Sequence, residues 1–334
     1  MACEIFALGS HPFMTQPVRK AFVLGAGLGT RLRPLTDLVP KPLLPIFGKP
    51  LITFAFDHLR HAGVEEFVVN THHLPEKFLE QFSDSEYCAA PLALMHEPEL
   101  LETGGGIKNV ESKIGDELFI VYSGDILTDV AVDHLVDEHC SRHNDVTLAL
   151  RTTKFSPGIH WSSDTGRVLD IQGALGTGRQ GEFDFAGISI WPPSVFARIP
   201  VKTKISFISV LIQWMKEGGK VGGLPLQEGR WFNIGSSKEY VATHKMIAEE
   251  KWVPYYLHAG SWPHRVDPSA EISPSASIEG GSYVGARCRV AGGVLIRDSI
   301  LLPDSSVPRD TALQSCIVAG VKLSAGTYLE SVFV

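Results

Sequence analysis

The sequence contains few cysteines, and these show no pairing pattern. Closely spaced cysteines are typical of a disulfide framework or a zinc site, so wide spacing favours reduced thiols. The five cysteines of the 334-residue chain are Cys3, Cys88, Cys140, Cys288 and Cys316. Their spacing argues against both a disulfide-rich scaffold and a structural zinc site.

The sequence also lacks a basic charge excess and a long apolar run. Its formal net charge is -7, whereas a nucleic acid or an anionic membrane would favour a clustered basic face. No apolar stretch approaches the length that crosses a bilayer, and residues 1–17 lack the basic start and apolar run of a secretion signal. We therefore expect a cytoplasmic protein with small-molecule substrates, no nucleic-acid partner and no membrane association.

Short apolar runs and longer helix-like stretches alternate from Lys20 onward. This alternation is typical of βαβ units around a largely parallel sheet, and the chain length favours two domains. The predicted strands are residues 21–24, 67–69, 119–122 and 146–150, and the predicted helices are residues 51–62, 130–143 and 237–250. The first of these helices should end at Gly63, because glycine is a common helix-stop residue.

The last part of the chain has a different rhythm, with an aliphatic residue at every sixth position. Such a repeat predicts a parallel β-helix, because each short strand turns a corner and adds one aliphatic side chain to a stacked core. The repeating residues are Val266, Ile272, Ile278, Val284, Val290, Ile296 and Leu302, followed after slips by Val307, Leu313, Ile317, Leu323 and Leu329. The open ends of such a solenoid favour a homo-oligomer that assembles through this domain.

The change of rhythm sets the predicted domain boundaries. Residues 251–267 contain Trp252, Pro254, Trp262 and Pro263, which interrupt the helical pattern. We predict an N-terminal extension at residues 1–17, an α/β domain at 18–252, a linker at 253–265 and a β-helix at 266–334.

A glycine-rich segment directly after the first strand carries the strongest chemical signal. In residues 24–36, here called the glycine loop, three glycines let the backbone approach phosphate oxygens closely. A dinucleotide-binding fingerprint would need a further glycine where Thr30 stands. A Walker loop would need Ser or Thr after Gly48-Lys49, where Pro50 stands instead. Prolines on both sides of Lys41 stiffen the backbone that would hold its charge near the phosphates.

These segments resemble the sugar-nucleotide pyrophosphorylase (nucleotidyltransferase) family. The shared motifs are Arg-Leu-Arg-Pro-Leu-Thr from Arg31, Lys-Pro-Leu-Leu-Pro from Lys41, Leu-Glu-Thr-Gly-Gly-Gly from Leu101, Tyr-Ser-Gly-Asp from Tyr122, Phe-Ala-Gly-Ile from Phe185 and Trp-Phe-Asn-Ile-Gly from Trp231. The resemblance implies a Rossmann-like, mostly parallel sheet followed by a left-handed parallel β-helix. It also implies transfer of a nucleotidyl group from a nucleoside triphosphate to a sugar 1-phosphate, with release of pyrophosphate.

The resemblance also implies roles for individual charged residues. Arg31 would hold the departing β- and γ-phosphates, and Lys41 would stabilise charge on the α-phosphate. Asp125 and Asn233 would bind Mg²⁺ through oxygen ligands, although many relatives have aspartate where Asn233 stands. The competing interpretations are a helix N-cap role for Asp125 and a turn role for Asn233. His72 and His73 are interpreted as loop contacts, because adjacent strand residues point to opposite faces.

Two further groups of residues are predicted to contact the substrates. The nucleotide-binding group is Leu24, Gly25, Ala26, Gly27, Gly29, Thr30, Glu102, Gly104 and Gly105. The sugar-binding group is Gly124, Asp184 and Gly187.

The local motifs look most like those of N-acetylmuramic acid 1-phosphate uridylyltransferases, and guanylyltransferases share much of the pattern. UTP is therefore favoured, and GTP stays open. A catalytically silent regulatory subunit is the alternative function. Acyl transfer by the β-helix is disfavoured, because that chemistry uses a histidine base and no histidine follows His264.

Overall fold

The computed structural model describes residues 18–153, 157–258 and 260–334. The predicted N-terminal extension therefore lies outside the described residues. The chain divides into two compact units. Unit 1 contains the described residues up to Gly27 together with Ala55–Gly124 and Thr128–Trp231, and unit 2 contains Leu28–Phe54, Asp125–Leu127 and Phe232–Val334. The predicted boundaries at residues 252 and 266 remain predictions.

The α-helices of the described residues are α1 (Leu51–His61), α2 (Pro75–Gln81), α3 (Glu102–Asn109), α4 (Glu111–Ile114), α5 (Val132–Ser141), α6 (Phe207–Lys216) and α7 (Ser237–Glu250). The end of α1 follows the sequence signal, because Gly63 adopts a left-handed φ of 92° and the Val64 amide closes the helix by donating to the Leu59 carbonyl. The start of α7 is fixed by Ser236, whose hydroxyl accepts from the Glu239 amide. No helix in these described ranges is long and apolar enough to cross a membrane.

The strands up to residue 233 are β1 (Lys20–Leu24), β2 (Pro45–Ile46), β3 (Lys49–Pro50), β4 (Glu66–Thr71), β5 (Glu86–Tyr87), β6 (Ala90–His96), β7 (Phe119–Ser123), β8 (Ile126–Thr128), β9 (Val146–Arg151), β10 (Ile159–Ser162), β11 (Arg167–Ile171), β12 (Asp184–Trp191), β13 (Val221–Pro225) and β14 (Trp231–Asn233). Ten of them form one sheet in the order β10-β11-β13-β9-β12-β7-β1-β4-β6-β5. Small two-stranded pairs join β14 to β8 and β2 to β3.

The large sheet lies in unit 1 and is parallel around β1. Strand β1 pairs in parallel with both β4 and β7, and β4 pairs in parallel with β6. Strands β5, β11 and β12 run antiparallel to their neighbours, and β12 lies inside the sheet between β7 and β9. Buried side chains of β1, β7 and β9 pack with α6 in one apolar cluster that includes Phe22, Leu148 and Trp214. The predicted Rossmann-like α/β sheet is thereby confirmed.

The strands of the C-terminal part are β15 (Glu271–Ile272), β16 (Ser277–Glu279), β17 (Tyr283–Val284), β18 (Arg289–Val290), β19 (Leu295–Arg297), β20 (Ile300–Leu302), β21 (Ser306–Val307), β22 (Thr311–Gln314), β23 (Ile317–Ala319), β24 (Gly326–Leu329) and β25 (Val332–Phe333). They stack into three parallel sheets, β15-β18-β21, β16-β19-β22-β24 and β17-β20-β23-β25. Three such faces are the arrangement of the predicted left-handed β-helix.

The filling of the β-helix interior departs from the prediction at four residues, the first of which is Val266, which is 39% exposed. Val284 pairs with Leu301, whereas the repeat predicted Leu302 at this position. Leu301 pairs in turn with Val318, whereas the repeat predicted Ile317. Leu301 and Val318 therefore fill the interior, because the coils shorten by one residue at this face. Leu329 is exposed, and Tyr328 packs against the interior cluster instead.

Unit 2 joins the segment around β2 and β3 to the C-terminal part of the chain through one apolar cluster. The Phe47 amide donates to Nε2 of buried His244, and the Trp262 indole donates to the Ile46 carbonyl. The Tyr240 hydroxyl donates to the Pro45 carbonyl at 2.6 Å. Burial lowers the pKa of His244 to about 4, so the ring is neutral and accepts this bond. The loop after Lys41 is thus held by residues some 200 positions further along the chain.

The cysteine expectation holds in part. Cys140, Cys288 and Cys316 form no disulfide. Cys88 is disulfide-bonded, so the expectation of a reduced thiol is wrong at that residue. Spacing along the chain gives no information on which side chains a fold brings together.

Candidate active site

The carboxyl ends of three neighbouring parallel strands of unit 1 meet where the glycine loop begins. Leu24, the last residue of β1, pairs with Asn70 of β4 and with Ser123 of β7. The Gly124 amide donates to the Leu24 carbonyl at 3.0 Å. Ligands of open α/β sheets bind outside such strand ends, so the predicted nucleotide and sugar residues Leu24 and Gly124 lie at the expected edge.

The first two glycines of the glycine loop, Gly25 and Gly27, differ in the space that surrounds them. A Cβ on Gly25 would stand 2.6 Å from the Asn70 carbonyl oxygen and 2.9 Å from Cγ1 of Val69, so the fold itself requires glycine there. A Cβ on Gly27 would meet no atom within 4 Å. Packing therefore explains Gly25, whereas Gly27 has open space beside it and its contact with a nucleotide remains a prediction.

The Glu102 segment, which is predicted to contact the nucleotide, begins a helix. Glu102 begins α3 with a left-handed φ of 60°, and its side chain is half-exposed. A Cβ on Gly104 would be 2.8 Å from the Ile205 carbonyl oxygen, and one on Gly105 would be 2.3 Å from that of Thr203. Both glycines thus have a packing role, and nucleotide contacts by all three residues remain predictions.

The predicted sugar-binding residues on β12 lie at an irregular stretch of that strand. Gly187 has φ 91°, and the pairing of β12 with β9 shifts between Phe185 and Ser189. The Thr153 hydroxyl donates to the Asp184 carboxylate. Asp184 is therefore already engaged as an acceptor, and its contact with a sugar hydroxyl remains a prediction.

In unit 2 the second part of the glycine loop is a tight turn. Gly29 has φ 58°, and the Thr36 hydroxyl donates to its carbonyl at 3.0 Å. Thr30 then begins a short 3-10 turn that contains Arg31. A Cβ on Gly29 would stand 2.7 Å from Cγ2 of Thr36 and 3.4 Å from Cβ of Lys41, so this glycine lets the turn pack beside the lysine.

Lys41 and Asp125 form the central charged contact of unit 2. The Lys41 Nζ donates to Oδ2 of Asp125 at 2.6 Å. The lysine side chain is only 9% exposed, whereas the aspartate side chain is 41% exposed. A cation shielded from solvent keeps its field strong, and the open carboxylate has a second oxygen for another partner. Asp125 precedes strand β8 rather than a helix, so the N-cap interpretation is wrong.

Arg31 and the segment after β14 lie together in the same unit. A Cβ on Gly235 would be 3.1 Å from Nη2 of Arg31 and 2.9 Å from Oε2 of Glu239. The Gly235 amide donates to that carboxylate at 3.0 Å. The absence of a side chain at Gly235 therefore lets the guanidinium lie against the backbone, and Glu239 fixes the peptide beside it. Asn233 ends β14, which pairs with the β8 strand that follows Asp125.

The donor set of unit 2 fits a magnesium ion. Asp125 and Asn233 offer carboxylate and amide oxygens, the ligand type that Mg²⁺ prefers, and Mg²⁺ retains water or phosphate as its remaining ligands. In the described part of the chain, no three His, Cys, Asp or Glu side chains are grouped to hold a metal ion. His72 is a loop contact, with Nδ1 2.7 Å from the Glu97 carbonyl oxygen.

A pair of buried polar residues in unit 1 and the acidic partner of Gly235 in unit 2 were not predicted from the sequence. These residues are Asn70, Glu97 and Glu239. A signal was available for Asn70, because it directly follows the apolar run of residues 67–69, as Asp125 stands shortly after the run of residues 119–122. The capping pattern Ser236-x-x-Glu239 was also readable. Glu97 has no local signal, because its partners are set by the tertiary fold.

Comparison with known proteins decides the family. The nucleotidyl transferase family matches residues 20–250. The chain belongs to this family. The resemblance noted from the sequence motifs is therefore confirmed, and with it the predicted class of enzyme, a nucleotidyl transferase.

Named relatives align over much of the chain. An N-acetylmuramate alpha-1-phosphate uridylyltransferase of Caulobacter vibrioides is 33% identical over 71% of this chain and 100% of its own length. A mannose-1-phosphate guanylyltransferase of Mycobacterium tuberculosis is 26% identical over 93% of this chain and 82% of its own length. A UTP--glucose-1-phosphate uridylyltransferase of Synechocystis is 24% identical over 90% of this chain and 82% of its own length. The relatives thus differ in both base and sugar.

Proposed function

We propose that this nucleotidyl transferase moves a nucleotidyl group from a nucleoside triphosphate to a sugar 1-phosphate. The carrying observation is the contact between shielded Lys41 and half-exposed Asp125, at 2.6 Å. In this contact the Lys41 ammonium lies beside the Asp125 carboxylate, which would also be available to a magnesium ion. The sugar-phosphate specificity of the relatives supports the choice of acceptor.

The reaction needs positioning and charge stabilisation rather than a protein nucleophile. A phosphate oxygen of the sugar 1-phosphate attacks the α-phosphorus, the bond from that phosphorus to the bridging oxygen breaks, and pyrophosphate leaves with the electron pair. Lys41 stabilises the charge that develops on the α-phosphate, and Arg31 holds the departing phosphates. The packing of Arg31 against Gly235 presets the orientation of the guanidinium.

Asp125 and Asn233 would hold the magnesium ion. When bound, Mg²⁺ supplies positive charge to the phosphate oxygens. Since the amide of Asn233 carries no charge, metal affinity depends chiefly on Asp125, and the lysine contact keeps that carboxylate in place.

The favoured donor is UTP. This choice rests on the sequence motifs around Glu102 and on the Caulobacter relative, which has the highest identity of the three reported above. GTP is the second candidate, because the Mycobacterium relative uses a guanylyl group by name. The acceptor candidates are the 1-phosphates of N-acetylmuramate, mannose and glucose.

A substrate panel tests the proposal. Purified full-length protein with Mg²⁺ is incubated with each of UTP, GTP, ATP, CTP and dTTP against each of the three sugar 1-phosphates, and pyrophosphate release is followed by a coupled assay. Release in at least one combination, dependent on both substrates, is expected. A protein that binds a nucleotide sugar yet releases no pyrophosphate in any combination would instead be assigned the regulatory role.

We also propose that the chain forms a homo-oligomer through the β-helix. The terminal strands β24 and β25 lie at one end of their stacks, where Leu329 is exposed. Sedimentation equilibrium should show a species larger than the monomer. Leu329→Glu should shift that species towards the monomer, and an unchanged distribution in the variant would argue against this contact.

A further inference from the structure

A buried polar network in unit 1 links the start of the glycine loop to the start of α3. The Asn70 side-chain oxygen accepts from the amides of Gly25 and Ala26, at 2.8 and 3.2 Å. Its Nδ2 donates to Oε1 of Glu97 at 2.7 Å. The other oxygen of Glu97 accepts from the Leu101 amide at 3.0 Å. Two side chains thus connect two segments that the sequence assigns to the nucleotide.

Only an amide side chain can perform the role of Asn70. The residue is 2% exposed, so each of its polar atoms needs a protein partner. It must accept from two backbone amides on one side and donate to a carboxylate on the other. Aspartate keeps the acceptor, loses the donor and adds a like charge, while alanine leaves the two amides without their acceptor.

The carboxylate of Glu97 is equally specific to its position. Glu97 is 0% exposed, and each of its oxygens faces one of the two donors. Burial raises the pKa of Glu97, and the bonds from Asn70 and Leu101 oppose that rise. Glutamine would turn its NH₂ group towards the Leu101 amide, so two donors would face each other.

The network also explains why Gly106 is a glycine. A Cβ there would lie 3.0 Å from Nδ2 of Asn70 and 3.1 Å from Oε1 of Glu97. The third glycine of the Glu102 segment therefore makes room for the hydrogen bond between these two side chains. Burial of the Glu97 carboxylate costs free energy even with its two hydrogen bonds, which points to a role beyond filling the core.

We propose that Asn70 and Glu97 are a positioning pair that orients the backbone amides of the glycine loop relative to the start of α3 for nucleotide binding. This inference rests on the proposed function. The Gly25 and Ala26 amides are occupied by Asn70, so the pair sets the peptide planes that lead to Gly27, beside which a side chain would meet only open space. Neither residue takes part in the chemical step.

The test compares Asn70→Ala and Glu97→Gln with Asn144→Ala. Asn144 is a matched control, because it is also buried in unit 1 and donates to the Thr147 hydroxyl at 2.9 Å, yet it has no bond to the glycine loop. For each variant we would measure KM for the triphosphate, KM for the sugar 1-phosphate and kcat. Hydrogen exchange of peptides covering residues 20–30 and 98–106 gives a readout that is independent of activity.

The expected result is a split between the two substrates. Asn70→Ala and Glu97→Gln should each raise KM for the triphosphate by about 10- to 100-fold, the range found when supporting residues of a site are removed, with KM for the sugar 1-phosphate within about 2-fold. The double variant should be little worse than either single variant, because the two side chains act as one unit. Asn144→Ala should leave both KM values unchanged even where it lowers Tm.

Failure of this inference differs from failure of the proposed function. Wild-type protein that releases no pyrophosphate contradicts the proposed function. Hydrogen exchange then tests, without any activity, whether Asn70 and Glu97 position the glycine loop. Faster exchange at residues 20–30 and 98–106 in Asn70→Ala, absent in Asn144→Ala, supports the positioning pair. Unchanged exchange, an unchanged triphosphate KM in the active protein, or an equal effect of Asn144→Ala would overturn it.

Discussion

The two glycines that flank Ala26 offer a clean separation of folding from ligand binding. A Cβ added at Gly25 would stand 2.6 Å from a backbone oxygen and 2.9 Å from a buried methyl group, and neither can move without shifting β4. Overpacking of this kind costs about 1–3 kcal/mol. In a domain of this size that corresponds to a fall in Tm of about 2–12 °C.

Gly27→Ala should behave in the opposite way. The added methyl group meets no protein atom within 4 Å, so stability should stay within about 1 kcal/mol and can rise slightly, because alanine reduces the freedom of the unfolded chain. The same methyl group occupies the space that a phosphate or ribose would use. A ligand displaced by about 1 Å loses about 100-fold in rate, so kcat/KM for the triphosphate should fall to that extent.

Thermal unfolding and steady-state kinetics together measure both variants. Gly25→Ala should lower Tm, and Gly27→Ala should keep Tm while raising KM for the triphosphate. Gly27→Ala with wild-type kinetics would refute the assignment of this loop to the nucleotide. A stable Gly25→Ala would show that β4 yields more easily than the close contact implies.

Three further variants probe unit 2. Lys41→Ala should lower kcat/KM by about 100- to 1,000-fold, the cost of losing one fixed charge at a developing anion, as measured by pyrophosphate release. Gly235→Ala should lower kcat/KM by about 10- to 100-fold, because the new Cβ would stand 3.1 Å from Nη2 of Arg31 and displace the guanidinium. In His244→Gln the free energy of unfolding should decrease less below pH 6.5 than in the wild type, as measured by urea unfolding at several pH values.

The direction of the pH effect follows from the lowered pKa of His244. The folded protein holds the ring neutral down to about pH 4, whereas the unfolded chain takes up a proton near its ordinary value of 6.5. The full contribution of His244 to the free energy of unfolding is therefore present above pH 6.5 and is lost as the pH falls towards 4. The loss is about 1.4 kcal/mol for each pH unit and at most about 3 kcal/mol in total. A wild-type profile that is flat over this range would contradict the role of the ring as a buried neutral acceptor.

A matched control exists for Lys41→Ala. Lys245 also pairs with an aspartate in unit 2, with its Nζ 3.5 Å from Oδ2 of Asp298, and Lys245→Ala should leave turnover unchanged. Wild-type kcat/KM in Lys41→Ala would remove the lysine from the mechanism. For Gly235→Ala, an unchanged kcat/KM would show that Arg31 keeps its function after moving.

The sequence predicted the elements whose signals are local. The strand that leads to Leu24, the helix that ends before Gly63 and the helix that begins after Ser236 all follow from periodicity and capping residues. The antiparallel β12 inside the sheet had no such signal, because pairing direction is decided by how distant segments pack. The repeat predicted the β-helix but missed its register at Leu301, where one coil is shorter by a single residue.

The candidate site was predictable where chemistry and local sequence coincide. The flanking prolines pointed to Lys41 and the family resemblance to Asp125, and the structure brings the two side chains into contact. The glycines at 104 and 105 were predicted to contact the nucleotide, and their packing against residues 203–205, about 100 positions away, had no local signal. Asn70 and Glu97 were missed for the same reason, since their partners are brought together only by the sheet.

The anchoring of the hairpin after Lys41 has a consequence for how the chain can be shortened. The indole of Trp262 and the ring of Tyr283, which faces Phe47 at a centroid distance of 6.5 Å, both lie beyond residue 252. A truncation there would remove the β-helix and, with it, two supports of the segment that carries the proposed phosphate-binding lysine. Residues beyond 252 therefore help to hold the hairpin after Lys41, and a chain that ends at residue 252 should lose turnover although it keeps every predicted substrate-binding residue.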